Sequence, residues 1–212
     1  MKTLNCSFIH DYKICVSGAA ELMPCTPHAK KAAKEVGRQI AKQGAILITG
    51  ATTGIPYWAA VGAKEVGGLS IGFSPASTEK EHMKVYRLPT DVFDVIVYTG
   101  FGYAGRNLLL TRAADGVITI CGRMGTLNEF TVAFEDEKPI GVLEGSGGTA
   151  DKIDYLLKGG YRGKKKVLIN PYPDALVQGV IAMIKKEKDG NHKADKKQAK
   201  TKHEKENSRK GR

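Results

Sequence analysis

Aromatic residues are scarce in this 212-residue chain, at 7%, and Trp58 is its one tryptophan. No aromatic residue interleaves the lysines near the C-terminus, which excludes a stacking platform for single-stranded nucleic acid there. The four cysteines (Cys6, Cys15, Cys25 and Cys121) include no Cys-x-x-Cys pair and no histidine at zinc spacing, so no metal site is expected. They read as four reduced structural thiols, with Cys15 and Cys121 acting as small hydrophobes inside strands. No window reaches the roughly 18 apolar residues of a membrane span. The segment Met1–His10 has no apolar core of the kind a signal peptide carries. The expectation is a soluble, cytoplasmic protein without membrane contact. A Walker A sequence, the three-glycine dinucleotide fingerprint and a pyridoxal-phosphate lysine motif are also missing.

What the chain does have is glycine, 25 residues, which suits an α/β protein with many tight turns. Its net charge of +11 is uneven. Residues 185–212 hold twelve Lys or Arg against five Asp or Glu, which leaves +4 for residues 1–184. The basic end carries almost no large apolar side chain and cannot bury enough surface to fold. It is expected to be a disordered tail over 187–212, following one domain over 1–186. A solubilising role is the plain reading of the tail. Weak, salt-sensitive contact with nucleic acid is the alternative, resting on charge alone.

Within the domain, apolar runs alternate with helical periodicity. Strands are expected at 13–18, 45–49, 69–73, 92–98, 116–121, 139–143 and 166–169. Helices are expected at 27–42, 57–66, 105–114, 126–136, 150–157 and 173–186. Thr26 followed by Pro27 reads as an N-cap and first helical residue. Leu108, Leu109 and Ala113 read as the apolar side of the helix at 105–114. Residues 76–92 read as a loop with a short extended piece near Val85. Short apolar strands without hairpin turns, alternating with helices, give an open, mostly parallel sheet covered on both faces. Ligands in such sheets bind at the carboxyl ends of strands where strand order reverses. Four small-residue turns fall at such ends: Ser17-Gly18, Gly50–Gly54, Thr99–Gly105 and Gly122–Thr126.

The segment Gly122-Arg-Met-Gly-Thr-Leu-Asn-Glu129 carries the most chemistry. It joins the apolar run Gly116–Cys121 to a helix start, where unpaired amides and the positive end of the helix dipole suit a phosphate. Glu129 lies about one turn into that helix, placed for proton transfer or for ribose hydroxyls. Arg106, near another helix start, can clamp a phosphate or stabilise developing charge. Hydrolysis of an N-glycosidic bond gives these groups coherent roles, since a carboxylate stabilises an oxocarbenium-like transition state.

Taken together, Ile46-Leu-Ile-Thr-Gly50 with Gly54, Gly62-Ala63 with Gly67-Gly68, Gly72–Pro75, Arg106-Asn107, Ala114-Asp115 and Gly122–Glu129 form a series. Over residues 13–185 this series resembles the Rossmann-like superfamily once called lysine decarboxylases. That group includes the Lonely Guy phosphoribohydrolases and the molybdenum cofactor carrier proteins. The resemblance implies a Rossmann-like doubly wound fold, a homodimer or higher homo-oligomer, and a nucleotide or another phosphate-bearing small molecule as partner. It implies Arg106 and Glu129 as a catalytic pair that cleaves nucleoside 5′-monophosphates, with no metal or other cofactor required. It implies Gly122, Gly125 and Thr126 as the phosphate turn; the turns themselves offer Ser17, Gly18, Gly50 and Gly54 as further phosphate or nucleotide contacts, and Arg123, which is not the family's residue, offers a direct phosphate contact. Four features depart from the hydrolase pattern: Arg123 stands at its second glycine, Gly50-Ala51 replaces a glycine pair, Ile55-Pro56 follows Gly54 where a methionine is usual, and Asn107 follows Arg106 where the plant-type enzymes have lysine. The Arg106-Asn107 form looks closer to the carrier-like, uncharacterised branch, which implies the molybdenum cofactor or a signalling nucleotide as the bound partner.

Overall fold

The computed structural model describes residues 12–160 and 166–190. Seven strands form one parallel sheet: β1 Lys13–Gly18, β2 Ile46–Thr49, β3 Ser70–Ser74, β4 Val95–Tyr98, β5 Gly116–Ile120, β6 Ile140–Leu143 and β7 Val167–Asn170. Their order is β4-β3-β2-β1-β5-β6-β7, and every pairing is parallel. The order reverses between β1 and β5, where Gly18 pairs with Ile120. The crevice expected of such a reversal therefore opens beyond those two residues.

The helices are α1 Ala29–Lys42, α2 Ile55–Lys64, α3 Glu79–Lys84, α4 Gly102–Ala113, α5 Met124–Glu135, α6 Ile153–Gly159 and α7, residues 173–190. Side chains alternate along each strand, so consecutive residues of β1 feed different cores. Ile14 and Val16 pack in one cluster with α1, α2 and α7 residues such as Val36, Ile55, Ala59 and Val180. Cys15 packs in the other with Leu110 of α4, Phe130 and Ala133 of α5 and Ile153 of α6. Both faces of the sheet are covered, as the near-continuous apolar strands require.

Several elements differ from the sequence reading. Two cysteines are paired: Cys25 and Cys121 form a disulfide, their Cα atoms 5.4 Å apart across 96 residues of sequence, while Cys15 is a buried free thiol. Spacing along the chain could not reveal this, because the β1–α1 loop folds over the end of β5. Helix α1 starts at Ala29, with His28 at its N-cap. Thr26 is engaged elsewhere, its hydroxyl donating to Gly145 O at 3.1 Å. The loop expected at 76–92 contains α3, whose start Thr78 caps by accepting from the Glu81 amide at 3.2 Å. Thr78-x-x-Glu81 is the capping-box spacing. Helix α4 buries Arg106, Asn107, Leu110 and Thr111, leaving Leu108 and Leu109 about 40% exposed. Three of its four buried residues are thus polar, and the leucines expected on the apolar side face outward. The expected tail begins within α7, which continues to residue 190; residues 191–212, Met1–His10 and Cys6 lie outside the described residues. Among the described residues no helix is long and apolar enough to cross a membrane.

Helices α1 and α2 cross at backbone contact. A Cβ on Gly37 would lie 1.8 Å from Ala59 O, and one on Gly62 would lie 1.8 Å from Lys34 O. In an isolated helix Gly→Ala is favourable by about 1 kcal/mol. Here the carbonyls leave no room, so we predict that Gly37→Ala destabilises the protein by about 1–3 kcal/mol. Urea denaturation measures it, and a stabilised variant would show that the helices do not meet at this distance.

Candidate functional site

A cavity of about 430 Å³ opens at the β1–β5 reversal, within the size range of small-molecule sites. Arg106, from the first turns of α4, and Glu129, from α5, meet at its wall. Arg106 Nη1 lies 3.3 Å from Glu129 Oε1, and the two residues are 6% and 5% exposed. The hydroxyl of Ser17, at the end of β1, donates to Glu129 Oε2. The Asn107 amide lies against the same carboxylate: with its NH₂ turned inward it donates to Glu129 Oε1 at 2.9 Å and to Tyr103 O at 3.0 Å. That orientation satisfies Glu129 and the Tyr103 carbonyl and sets the Asn107 oxygen against Asn128, whose amide must turn with it to donate. Burial pushes the Glu129 carboxyl above its ordinary value, against the opposing pull of Arg106 and the Ser17 hydroxyl. Burial, then the charge of Glu129, pushes up the adjacent Cys15 thiol.

Gly50 is needed where it stands. A Cβ there would lie 1.7 Å from Arg106 Nη1, so the guanidinium rests on bare backbone. A Cβ on Gly18 would strike Ile55 and the Ile120 carbonyl. Gly18, Gly50, Arg123, Gly125 and Thr126 line the cavity with Arg106 and Glu129. Ser17, Gly54 and Gly122 do not line it. Ser17 acts on it through Glu129, Gly54 (φ +70) sets the start of α2 against the Ala19 carbonyl, and Gly122 (φ +102) shapes the turn before α5.

Arg123 is the N-cap of α5 and provides no side-chain cap, and the first turn of the helix holds no acidic residue. A helix start without a side-chain cap or an acidic first turn suits an anion. Arg123 adopts φ −128, extended backbone open to any residue, so its position does not require glycine. The left-handed conformations of this turn fall on Cys121 (φ +55) and Gly122. The Arg123 side chain is half exposed and pairs with Glu21 of the β1–α1 loop at 3.0 Å, leaving the cavity open.

Sequence reasoning overlooked Tyr86, Arg87, Leu88 and Tyr103, which also line the cavity. Tyr103 could have been found, since it precedes Arg106 by three residues and so shares its side of α4. Tyr86–Leu88 carry no local signal. Among the described residues no group of three or more His, Cys, Asp or Glu could hold a metal ion.

A family model described as the SLOG cluster4 family matches residues 11–177. The chain belongs to the SLOG cluster4 family. Among solved structures, this SLOG protein is similar to TM1055, with 27% identity and a TM-score of 0.67 over 82% of this chain and 99% of that one. It is similar to the molybdenum cofactor binding protein of the phototrophic bacterium Rippkaea orientalis, with 30% identity and a TM-score of 0.64 over 82% and 96% of the two chains. It is also similar to the molybdenum cofactor carrier protein of Chlamydomonas reinhardtii, with 29% identity and a TM-score of 0.62 over 82% and 97%. Family, fold and cavity together make this SLOG protein a ligand-binding protein of the Lonely Guy and molybdenum cofactor carrier superfamily.

Two outcomes follow from the geometry. Gly50→Ala must displace the Arg106 guanidinium, whereas a Cβ on Gly125 meets nothing within 4 Å. We predict a loss of about 1–3 kcal/mol for Gly50→Ala and under about 0.5 kcal/mol for Gly125→Ala in the same denaturation assay. Equal effects would mean that Arg106 is not seated on Gly50. The second outcome concerns pH. A carboxyl with a raised native pKa binds its proton more tightly folded than unfolded, so its ionisation costs stability. Relative to Glu129→Gln, the wild type should lose stability as pH rises above the ordinary glutamate value of 4.5, with no further change below it. A difference growing in the opposite direction would mean that Arg106 outweighs burial.

Proposed function

We propose that this SLOG protein binds a nucleoside 5′-monophosphate at the β1–β5 crevice and hydrolyses its N-glycosidic bond to free base and ribose 5-phosphate. The observation that carries this reading is the buried Arg106–Glu129 pair, held by Ser17 on the wall of a cavity that also receives the uncapped start of α5. The 5′-phosphate would rest on the amides of Met124, Gly125 and Thr126, with Arg123 beside it. Anchoring the phosphate fixes the sugar, which turns a loose encounter into an oriented one. Glu129 would stabilise positive charge developing at C1′ and take the proton of the attacking water as the C–N bond breaks. Its raised proton affinity suits that transfer. Arg106 would stabilise the departing base, and Glu129 would pass to it the proton taken from water, so that the base leaves neutral and the carboxylate is restored. No metal or other cofactor enters these steps. The exposed Val95, Val97, Leu108 and Leu109 on β4 and α4 support a homo-oligomeric state.

The second reading is a carrier without catalysis, in which the phosphate of a pterin-based molybdenum cofactor occupies the same anion position. The similar proteins from R. orientalis and C. reinhardtii, which bind or carry that cofactor, favour it. In this reading Glu129 only holds Arg106 in place.

Incubation with AMP separates the two. The first reading expects free adenine by chromatography, and Glu129→Gln slows its release by about 10²-fold or more while AMP binding persists. Absence of base release from every common nucleoside monophosphate, with the protein folded, would leave the carrier reading.

A further inference from the structure

Two aromatic residues stand on the cavity wall in a chain that has few. Tyr86 follows α3 and Tyr103 lies in the first turn of α4. Their rings meet edge to face, centroids 5.5 Å apart, and both line the cavity. The Arg106 guanidinium lies 5.9 Å from the Tyr103 ring centroid while also pairing with Glu129. Arg106 therefore links the carboxylate to the aromatic wall. The anion position belongs to α5 and the rings belong to α3–β4 and α4, so separate elements line a polar and an aromatic wall of one cavity.

The backbone beside Tyr86 is unusual. Helix α3 ends with the Tyr86 amide bonded to Glu81 O and the Leu88 amide to His82 O, both at 3.0 Å. Between them Arg87 adopts φ +55, the left-handed conformation in which a helix end ordinarily carries glycine. The buried His82 ring ties this turn down, with Nε2 bonded to Pro89 O at 3.0 Å and Nδ1 to Ser74 Oγ at 2.8 Å. A strained, exposed arginine on a cavity wall, fixed by a buried histidine, is an outlier that points to use.

We propose that Tyr86, Arg87 and Tyr103 form the subsite for a flat heteroaromatic ring on the ligand, with the rings supplying stacking area and Arg87 supplying donors to the ring's edge. The inference rests on the reading that the cavity takes a ligand joining a phosphate to a planar base or pterin, and it assigns the ring end of that ligand to these three residues. The linking atoms of such a ligand would pass Arg106 and Glu129.

The test compares AMP, which has both ends, with ribose 5-phosphate, which has only the phosphate end. Calorimetry on the full chain should show Tyr103→Leu weakening AMP by about tenfold or more while ribose 5-phosphate changes by less than about twofold. Tyr103→Phe should retain AMP affinity. Arg87→Gly relieves the left-handed strain, so it should keep or raise Tm while weakening AMP, which separates ligand contact from folding. If Tyr103→Leu leaves AMP unchanged, or weakens both ligands equally, the ring subsite is wrong although the phosphate reading stands. If the wild type binds neither ligand, the nucleotide reading fails and the subsite for a nucleotide base with it.

Discussion

One ion pair governs the architecture of the site: Arg106 with Glu129, both nearly removed from water. Desolvating two charges costs more than a single contact at 3.3 Å returns unless other groups complete the coordination. The fold supplies them. Ser17 donates to one carboxylate oxygen, and Asn107 can donate to the other. Gly50 gives up its side chain so that the guanidinium can lie flat against the chain, and even so Arg106 Nε remains buried without a partner. An apolar pair of similar volume would serve stability at least as well. A buried pair maintained at this cost beside a cavity is better explained by the ligand than by the core.

Topology dictates where that pair can exist. Reversal of strand order between β1 and β5 leaves a gap between the helices that follow them, and the loops after both strands bend away to either side. The turn before α5 takes its sharp conformations at Cys121 and Gly122, which frees position 123 for a side chain. Arg123 uses that freedom to reach Glu21, while Cys121 is bonded to Cys25. Two links, one electrostatic and one covalent, thus join the β1–α1 loop to the turn before α5. The cavity rim is held from both strands that create it.

Much of this was legible in the sequence, and the failures have physical causes. Strand identity and parallel order followed from apolar runs such as Gly116–Cys121, because a strand buried on both faces has no polar alternation. Arg106, Glu129 and the glycine turns were readable because their positions at strand ends and helix starts are local properties. Helix α4 misled because its inner face serves a site: burying Arg106 and Asn107 pushes Leu108 and Leu109 outward, the reverse of an amphipathic rule. The cap of α3 was present as Thr78-x-x-Glu81 but lay in a polar stretch without periodicity. The Cys25–Cys121 bond and the approach of Tyr86 to Tyr103 depend on three-dimensional proximity across long stretches of chain, which no local pattern encodes.

The two functional readings share an anion position and differ in what Glu129 does once it is filled. Its proton affinity is set by competition: burial raises it, and Arg106 and Ser17 lower it. In the proposed reading a phosphate on α5 would add negative charge near this balance and raise the proton affinity of Glu129 further. Arg123 is the group placed to offset that charge, by turning from Glu21 to the phosphate. If it does so, the upward push on the Glu129 carboxyl is reduced; if it stays with Glu21, that push is left in place. In the proposed reading the arginine that departs from the glycine pattern is therefore the residue through which the bound phosphate bears on Glu129.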